Sequence, residues 1–373
     1  MSFEEEIKNL SNKAEINFIA TATTPWHAHG IVACIYYLRT RGFNPVGYIF
    51  ILPHSMTGYA LEKSLFPDLP ELTIKRIEKR PLSLFENLKK IYLSVDYFFL
   101  RAKRSKHKRI LYYVEPWTID AAQSNIITRH IKDVSIRHIV YDEGVATYFP
   151  INLQSNSVSE KIKNLFTKHV TFGIGYRFLV SKGLVTSAKL FNQVGHTIET
   201  NTLIIPFYKQ AIKSFHTNKS NNYSFPPKTV LICTTAWERK EIVDQEDVRL
   251  IKFVNSLLKE RGAAVVFKPH PRDYKFQESY HEVPMTLNAK ESLESILLGS
   301  STLPVCVLSI SSTILVTSRL FFNLKSIDLS GLLDAKKIGR YIDETTAFRN
   351  AFGNYVSSPT SIADLLISLD NIN

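Results

Sequence analysis

Short apolar runs alternate with segments of helical period along most of the chain, and this alternation constrains the fold more than any other feature. In the first part, apolar runs of strand length lie near residues 16–21, 46–52, 72–77, 110–114 and 138–141. Helical patterns at 28–40, 83–100 and 119–130 separate them. This order predicts parallel sheets built from βαβ units, and therefore the α/β class.

The pattern breaks at residues 216–228, a polar stretch with two prolines and no apolar period, which is typical of an interdomain linker. Beyond it we predict strands and helices at 229–234, 247–260, 263–267, 291–298, 305–308 and from Ser311 onward. The chain of 373 residues is long enough for two domains. We expect two doubly wound Rossmann-like domains, 1–215 and 229–373, which bind ligands in a cleft between the carboxyl ends of their strands.

The net charge of +12 is confined to the first part of the chain. Residues 1–220 hold 29 Lys and Arg against 17 Asp and Glu, whereas residues 221–373 hold 17 of each kind. The excess concentrates in a basic cluster at 101–109 and in 151–220, which has 9 basic and 2 acidic residues. This asymmetry indicates an anionic partner: nucleic acid, anionic lipid or an acidic polymer.

Several protein classes are disfavoured. The chain has no run of 18 apolar residues and its N-terminus is acidic, unlike a signal peptide, so we expect a cytoplasmic protein. Cys34, Cys233 and Cys306 lie far apart in apolar surroundings, which favours core packing over a disulfide or a zinc site. We find no GxxxxGK(S/T) loop, no GxGxxG after the first strand, and no Asp-x-Asp pair for a divalent metal.

A histidine between two prolines follows the strand at 263–267, in Lys268-Pro269-His270-Pro271-Arg272. Because proline fixes φ, the loop is stiff and holds the imidazole in one place. With a pKa of about 6.5, an imidazole can donate a proton or carry positive charge near neutrality. The position at a strand end, beside Lys268 and Arg272, favours a catalytic role for His270 over a structural one.

Two acids and a glycine end the strand at 138–141, in Tyr141-Asp142-Glu143-Gly144. Adjacent side chains point in different directions, so one carboxylate can face the cleft while the other anchors the loop. A carboxylate in a partly desolvated cleft can take a proton from a hydroxyl nucleophile. A simple polar turn explains the same residues about equally well.

Hydroxyl side chains mark the point where the strand at 305–308 runs into a helix: Ser309, Ser311, Ser312 and Thr313. Serines cap helix N-termini, and the same N–H donors, together with the helix dipole, bind phosphate. Capping explains one hydroxyl better than it explains four.

Polar residues also follow the first strand of each domain, where they can line opposite walls of the cleft. In the second domain these are Thr234, Thr235 and Glu238. In the first domain they are Thr23, Thr24, His27 and His29. The two histidines lack a nearby Asp, Glu or Cys to complete a site, so we predict no metal there.

In this order, the segments 141–144, 268–272 and 309–313 resemble the acid-acid-glycine, His-Pro and Ser/Thr motifs of bacterial sialyltransferases. The resemblance looks closest to the capsule polysialyltransferases and the related lipooligosaccharide sialyltransferases. It implies a GT-B fold, CMP-sialic acid as the donor substrate, no separate cofactor, inversion at the anomeric carbon and no metal requirement.

The resemblance also implies roles for individual residues. Asp142 would be the general base that deprotonates the acceptor hydroxyl, and Glu143 a secondary or loop-organising acid. Polysialyltransferases often have glutamate where this chain has Asp142, so which of the two acids is the base stays open. His270 would meet the departing phosphate as proton donor or charge partner, and the serines would hold the phosphate oxygens. On the donor side we expect Lys268, Pro271, Ser309, Ser311, Ser312 and Thr313 from the matching motifs, and Thr234, Thr235 and Glu238 from their position after the first strand of the second domain. On the acceptor side we expect Thr23, Thr24, His27 and Gly144 from their positions at strand ends, and Arg101, Lys103 and Arg104 from the charge of the basic cluster.

The charge distribution favours an acidic acceptor, because polysialic acid carries one carboxylate per sugar and the excess positive charge lies in the acceptor part. We therefore predict elongation of oligo- or polysialic acid in capsule synthesis. The basic segments can also lie on the anionic inner leaflet, at about 1 kcal/mol per Lys or Arg, which would make the enzyme peripheral on the cytoplasmic membrane beside capsule assembly proteins.

Two alternatives stay open. One is a lipooligosaccharide sialyltransferase, or a transferase for another CMP-linked ulosonic acid. The other is a polyanion-binding protein without catalysis. The chain shows no recognised nucleic-acid-binding motif, which argues against nucleic acid as the partner.

Overall fold

The fold is taken from a computed structural model of the chain. The structure describes residues 2–10, 15–52, 61–63, 66–77, 109–116, 121–131, 134–141, 180–185, 201–203, 205–216, 223–235, 237, 242–271, 273, 276–281, 285–289, 291–339 and 341–370. They fall into two units, one running up to Ala211 and the other starting at Ile212.

The first unit is built from strands and helices in alternation. In chain order they are α1 (Phe3–Leu10), β1 (Phe18–Ala22), α2 (Pro25–Thr40), β2 (Gly47–Ile51), β3 (Leu72–Arg76), β4 (Arg109–Pro116), α3 (Ala121–His130), β5 (Val134–Tyr141), β6 (Val180–Val185), β7 (Asn201–Leu203) and α4 (Ile205–His216). The unit boundary at Ala211 falls within α4.

The described strands of the first unit form one sheet in the order β3-β2-β1-β4-β5-β6-β7, and all of their pairings are parallel. Every residue of β1 and β2 is buried. Strands of a parallel sheet are covered on both faces, which is why these segments are mostly apolar rather than alternating.

One face of this sheet packs against α1 and α3 through an apolar cluster that includes Ile7, Phe50, Tyr113 and Ile127. Helix α2 packs elsewhere on the sheet, where Gly30 lies against the ring of Tyr141 at the end of β5. A β-carbon at Gly30 would lie 2.2 Å from Cδ2 of Tyr141, so the helix approaches this closely only because position 30 is glycine.

The second unit repeats the alternation. Its elements are β8 (Thr229–Cys233), α5 (Glu246–Glu260), β9 (Ala264–Lys268), α6 (Phe276–Ser279), α7 (Leu293–Leu298), β10 (Cys306–Ser309), α8 (Thr313–Phe322), β11 (Lys325–Asp328), α9 (Tyr341–Phe352) and α10 (Ile362–Asp370). Its described strands pair in parallel in the order β11-β10-β8-β9. Apolar residues of α5 and α10, among them Val254 and Leu365, form one core with Ile232, Phe267 and Leu308 of the sheet.

The predicted α/β class, with a parallel sheet and flanking helices in each of two units, is confirmed. The predicted cleft between the domains and the limits 1–215 and 229–373 stay predictions. Ser224, in the second half of the predicted linker, forms a β-bridge with Thr302 of the second unit, and Tyr223 donates a hydrogen bond to Glu291 at 3.0 Å. The helix predicted at 83–100 and the segment 151–179 lie outside the described residues.

One helix start was predicted wrongly. Helix α8 begins at Thr313 rather than at Ser311, because Ser311 has a φ of 42° and Ser312 has extended angles. A left-handed residue followed by an extended one cannot form a helical turn.

The cysteines occupy the predicted kind of environment, since all three are reduced and buried. Burial raises the pKa of Cys233 and of Cys306 to about 12, so both stay protonated near neutrality. Among the described residues, none of the helices is long and apolar enough to span a membrane.

Candidate active site

Four polar segments follow the four described strands of the second sheet. Asp328 ends β11, Ser311 follows β10, Thr234 follows β8 and His270 follows β9. Because these strands are parallel, their carboxyl ends lie along one edge of the sheet. We call this edge, with these four residues and their immediate neighbours, the donor edge.

Hydrogen bonds connect each strand end of the donor edge to the next. The backbone N–H of Ser311 donates to Oδ1 of Asp328 at 2.8 Å, which joins β10 to β11. Oγ of Ser309 donates to the carbonyl of Cys233 at 2.8 Å, which joins β10 to β8. The backbone N–H of His270 donates to Oγ1 of Thr234 at 2.9 Å, which joins β9 to β8. These three hydrogen bonds between neighbouring strand ends hold the residues of the donor edge in place.

The loop that carries His270 is held from both sides. The backbone N–H of Thr234 donates to the carbonyl of Lys268 at 3.1 Å. The ammonium of Lys268 donates to the carbonyls of Pro269 and Ala289, each at 3.1 Å. Lys268 is buried, and this burial lowers the pKa of its ammonium group. The ammonium of Lys268 thus holds the backbone on either side of this loop. His270 and Pro271 themselves are half-buried.

Ser311 is the unusual residue of the donor edge. Its side chain is buried, and its Oγ has no hydrogen-bond partner among the residues that the structure describes. An unpaired buried hydroxyl costs about 1–3 kcal/mol, so such a group is usually satisfied by a ligand or by water. Ser312 occupies the N-cap position of α8 and makes no side-chain capping bond, and Thr313 opens the helix. The N-terminal N–H groups of α8 lack that intramolecular acceptor.

Asp328 was not singled out from the sequence, yet it holds this turn. It is fully buried and also accepts hydrogen bonds from the backbone N–H of Ser330 at 3.1 Å and from its Oγ at 2.5 Å. Burial raises the pKa of Asp328, and the bonds from Ser311 and Ser330 oppose that rise. The sequence signal that could have revealed it is an acid at the end of the strand that follows α8.

A second buried acid of this unit is Glu294, in α7. Glu294 accepts a hydrogen bond from Oγ1 of Thr317 at 2.6 Å, and burial raises the pKa of its carboxyl group. The positive charge of Lys268 opposes that rise. Glu294 was also missed from the sequence, because an acid inside a short amphipathic helix reads as a solvent-facing residue.

The corresponding edge of the first unit carries the cluster of Thr23, Thr24 and His27. Thr24 caps α2, and its Oγ1 accepts from the backbone N–H of His27 at 3.2 Å. The Nδ1 of His27 accepts from the backbone N–H of Thr23 at 3.2 Å and lies 2.8 Å from Thr23 Oγ1. A ring nitrogen that accepts from an N–H carries no proton, so the proton of the neutral ring is on Nε2. The buried imidazole is thereby held in one tautomer.

Tyr141 brings the end of β5 to this cluster. Its ring centroid lies 6.2 Å from that of His27, with an angle of 69° between the planes. Tyr141 is fully buried and directly precedes Asp142 in the chain. The strand that leads to the predicted base is therefore anchored beside Thr23 and His27.

Part of the predicted site is not described by the structure: Asp142, Glu143, Gly144, Glu238, Arg272, Arg101, Lys103 and Arg104. Their predicted roles stay predictions. Within the donor side, the structure connects Thr234 with His270 and shows Ser309 bonded to the backbone of Cys233. Thr235 is half-buried next to Thr234.

Several solved structures are similar in fold at low identity. The alpha/beta-galactoside alpha-2,3-sialyltransferase of Photobacterium phosphoreum has a TM-score of 0.42 and 14% identity, covering 93% of this chain and 98% of that one. The UDP-GlcNAc 2-epimerase of Methanocaldococcus jannaschii has a TM-score of 0.48 and 10% identity, and that of Neisseria meningitidis has 0.47 and 12%. Each epimerase match covers 95% of this chain and 99% of the other. Likeness at this level supports no statement about activity.

A comparison with curated proteins found no match. The model of the alpha-2,8-polysialyltransferase family, by contrast, matches residues 18–330, which include both polar strand edges. That span covers most of the chain and contains the three motifs that resemble those of bacterial sialyltransferases. The protein is thus a glycosyltransferase that uses CMP-sialic acid, and the chain belongs to the alpha-2,8-polysialyltransferase family.

Proposed function

We propose that the protein is an inverting, metal-independent polysialyltransferase that acts in capsule biosynthesis. It transfers sialic acid from CMP-sialic acid to the non-reducing end of a growing polysialic acid chain. Membership of the family supports sialyltransferase activity. The acceptor, the stereochemistry, the independence from metal and the cellular role are the parts that we propose.

The observation that carries the donor side is the buried hydroxyl of Ser311, which has no hydrogen-bond partner within the described part of the chain. It lies next to the N-terminus of α8, on the same sheet edge as His270. A phosphate oxygen would accept from this hydroxyl and from the N–H groups of the helix, whose dipole favours an anion. A single phosphate, as in CMP, needs no divalent cation to offset a diphosphate charge, and the sequence holds no Asp-x-Asp pair.

The chemistry follows as one displacement. Asp142, or Glu143 in its place, takes the proton of the acceptor hydroxyl, whose oxygen attacks the anomeric carbon. The bond from that carbon to the phosphate oxygen of CMP breaks, and the leaving electron pair stays on the phosphate. His270 then donates a proton or places positive charge beside this oxygen. One displacement at one carbon inverts its configuration.

The acceptor assignment is supported by charge. The stretch 1–220 carries the whole excess of +12, and a polysialic acid chain presents one carboxylate per sugar. We place the basic cluster at 101–109 and the acceptor residues Thr23, Thr24, His27 and Gly144 on the path of this polyanion. The same basic segments would let the enzyme lie on anionic lipid at the inner face of the cytoplasmic membrane, beside capsule assembly proteins.

The test is the release of CMP from CMP-sialic acid with oligosialic acid, with lactose, or with no acceptor, in the presence of a chelator. We expect turnover with oligosialic acid and a product of opposite anomeric configuration to the donor. Turnover with lactose alone would instead indicate a lipooligosaccharide-type sialyltransferase. If CMP-sialic acid is not consumed while polyanions still bind, the protein is a binder without catalysis.

A further inference from the structure

Ser311 adopts a backbone conformation that is unfavourable for serine. Its φ of 42° lies in the left-handed region, which glycine enters freely and which other residues seldom adopt. Residues held in this way persist only where surrounding contacts fix them, and they concentrate at ligand-binding sites. Something in the second unit must therefore hold Ser311 in place.

Asp328 provides that restraint. Its Oδ1 accepts the backbone N–H of Ser311 at 2.8 Å and that of Ser330 at 3.1 Å. Its Oδ2 accepts from the hydroxyls of Ser330 at 2.5 Å and Ser358 at 3.4 Å. Donors from two loops thus fix the carboxylate. The oxygen that accepts the backbone N–H of Ser311 is therefore itself held in place. The positive charge of Arg349 adds attraction.

We propose that Asp328 is a positioning residue for the donor phosphate. By holding Ser311 in the left-handed conformation, it directs the serine hydroxyl and the N-terminus of α8 at the same phosphate group. This inference rests on the proposed function, because it assumes that a CMP phosphate binds at Ser311. It assigns a role to a residue whose own side chain is fully buried.

The first test measures the affinity for CMP by calorimetry and the two Michaelis constants of transfer. Asp328→Ala should raise Kd for CMP and KM for CMP-sialic acid about tenfold or more, while KM for oligosialic acid stays constant. Asp328→Asn should restore near-wild-type affinity, because its amide oxygen still accepts from Ser311. Ser330→Ala is the matched control, since it removes a bond to Asp328 without touching Ser311.

A second test separates backbone conformation from general stability. Glycine adopts positive φ without strain, so Ser311→Gly needs less restraint from Asp328. The loss of CMP affinity caused by Asp328→Ala should therefore be smaller in the Ser311→Gly background than in the wild type. Equal losses in both backgrounds would overturn the proposal, as would a Ser330→Ala variant that loses as much affinity as Asp328→Ala.

Asp328→Ser keeps the test possible if Asp328→Ala does not fold. Its side chain is one bond shorter and leaves a hydroxyl in the buried site, and we expect the same loss of CMP affinity. Unchanged affinity in a folded Asp328→Ser or Asp328→Ala variant would refute the positioning role alone. A wild-type protein that does not bind CMP would instead refute the proposed function.

Discussion

Thr234 accepts a hydrogen bond from the backbone N–H of His270 at 2.9 Å. The histidine is therefore restrained at its own backbone by a side chain from the neighbouring strand, in addition to the prolines on either side of it. Thr234 is buried, so water competes poorly for this bond. The position of the imidazole therefore depends on the hydrogen bond that Thr234 accepts from the backbone of His270.

Replacing Thr234 tests this relationship. Thr234→Val keeps the shape but leaves the N–H of His270 without its acceptor, so we expect kcat to fall about tenfold. Thr234→Ser retains the hydroxyl and should stay close to the wild type. Steady-state transfer rates, with thermal melts to compare folding, provide the measurement. Equal rates for valine and serine would show that the bond does not matter for catalysis.

The two proposed reacting groups can be removed one at a time. His270→Ala and Asp142→Asn should each lower kcat by about 10²-fold or more, which is typical of lost acid–base groups. Glu143→Gln should have the smaller effect if Asp142 is the base, and the larger one if the roles are exchanged. Near-wild-type rates for both His270→Ala and Asp142→Asn would show that the reaction centre lies elsewhere.

The contact of Gly30 with Tyr141 predicts an effect on the strand that leads to Asp142. In Gly30→Ala the new methyl group would overlap the Tyr141 ring, and we expect about 1–3 kcal/mol of destabilisation together with a lower kcat. Tyr141→Ala removes the ring, so the double variant should be less destabilised than the sum of the two single variants. Urea unfolding measures each free energy. Strict additivity would contradict the overlap.

Asp328 should also give the stability a characteristic pH dependence. Burial raises the pKa of Asp328 in the folded protein, so the folded state binds this proton more tightly than the unfolded chain. The resulting stabilisation is complete below the unfolded pKa of about 3.9 and is lost as the pH rises through the raised folded pKa.

Asp328→Asn lacks this titration and isolates it. The free energy of unfolding of Asp328→Asn minus that of the wild type should become more positive as the pH rises from about 4. Urea unfolding of both proteins across this pH range measures the difference. A constant difference would mean that Asp328 has the same pKa in the folded and unfolded states.

The basic cluster gives a prediction about acceptor length. Replacing Arg101, Lys103 and Arg104 with alanine should raise KM for oligosialic acid, and more so for longer acceptors, which carry more carboxylates. The difference from the wild type should shrink at high salt, which screens the attraction between the acceptor and the basic cluster. KM for CMP-sialic acid should not change. An effect independent of acceptor length, together with weaker binding to anionic vesicles, would indicate lipid as the partner instead.

The sequence predicted the architecture well, because buried parallel strands are mostly apolar. Such a strand can be recognised from its own residues, without knowledge of the strands beside it. Strands such as β1, β8 and β9 lie within a few residues of the predicted ranges. Strand β11, with the sequence Lys-Ser-Ile-Asp, was missed because it is short and polar. Its register beside β10 depends on pairing that a local pattern does not contain.

The site was predicted by residue type, whereas its internal contacts were not. His270 and the serines stood out because strand ends carry ligands in this class of fold. The restraint of Ser311 by Asp328 joins residues 17 positions apart, and nothing in either local pattern reveals it. The contacts of Lys268 were not predicted either. Its position suggested substrate binding, whereas its ammonium donates to backbone carbonyls.

The paired strands of the second sheet fix the distances between the polar residues of the donor edge. Adjacent strands lie about 4.8 Å apart, and this interval belongs to the backbone pairing rather than to any loop. Strand spacing therefore sets the sideways intervals between the positions that carry Asp328, Ser311, Thr234 and His270. A change of specificity toward a larger leaving group would have to come from new side chains at these positions, because the spacing between the strands does not change.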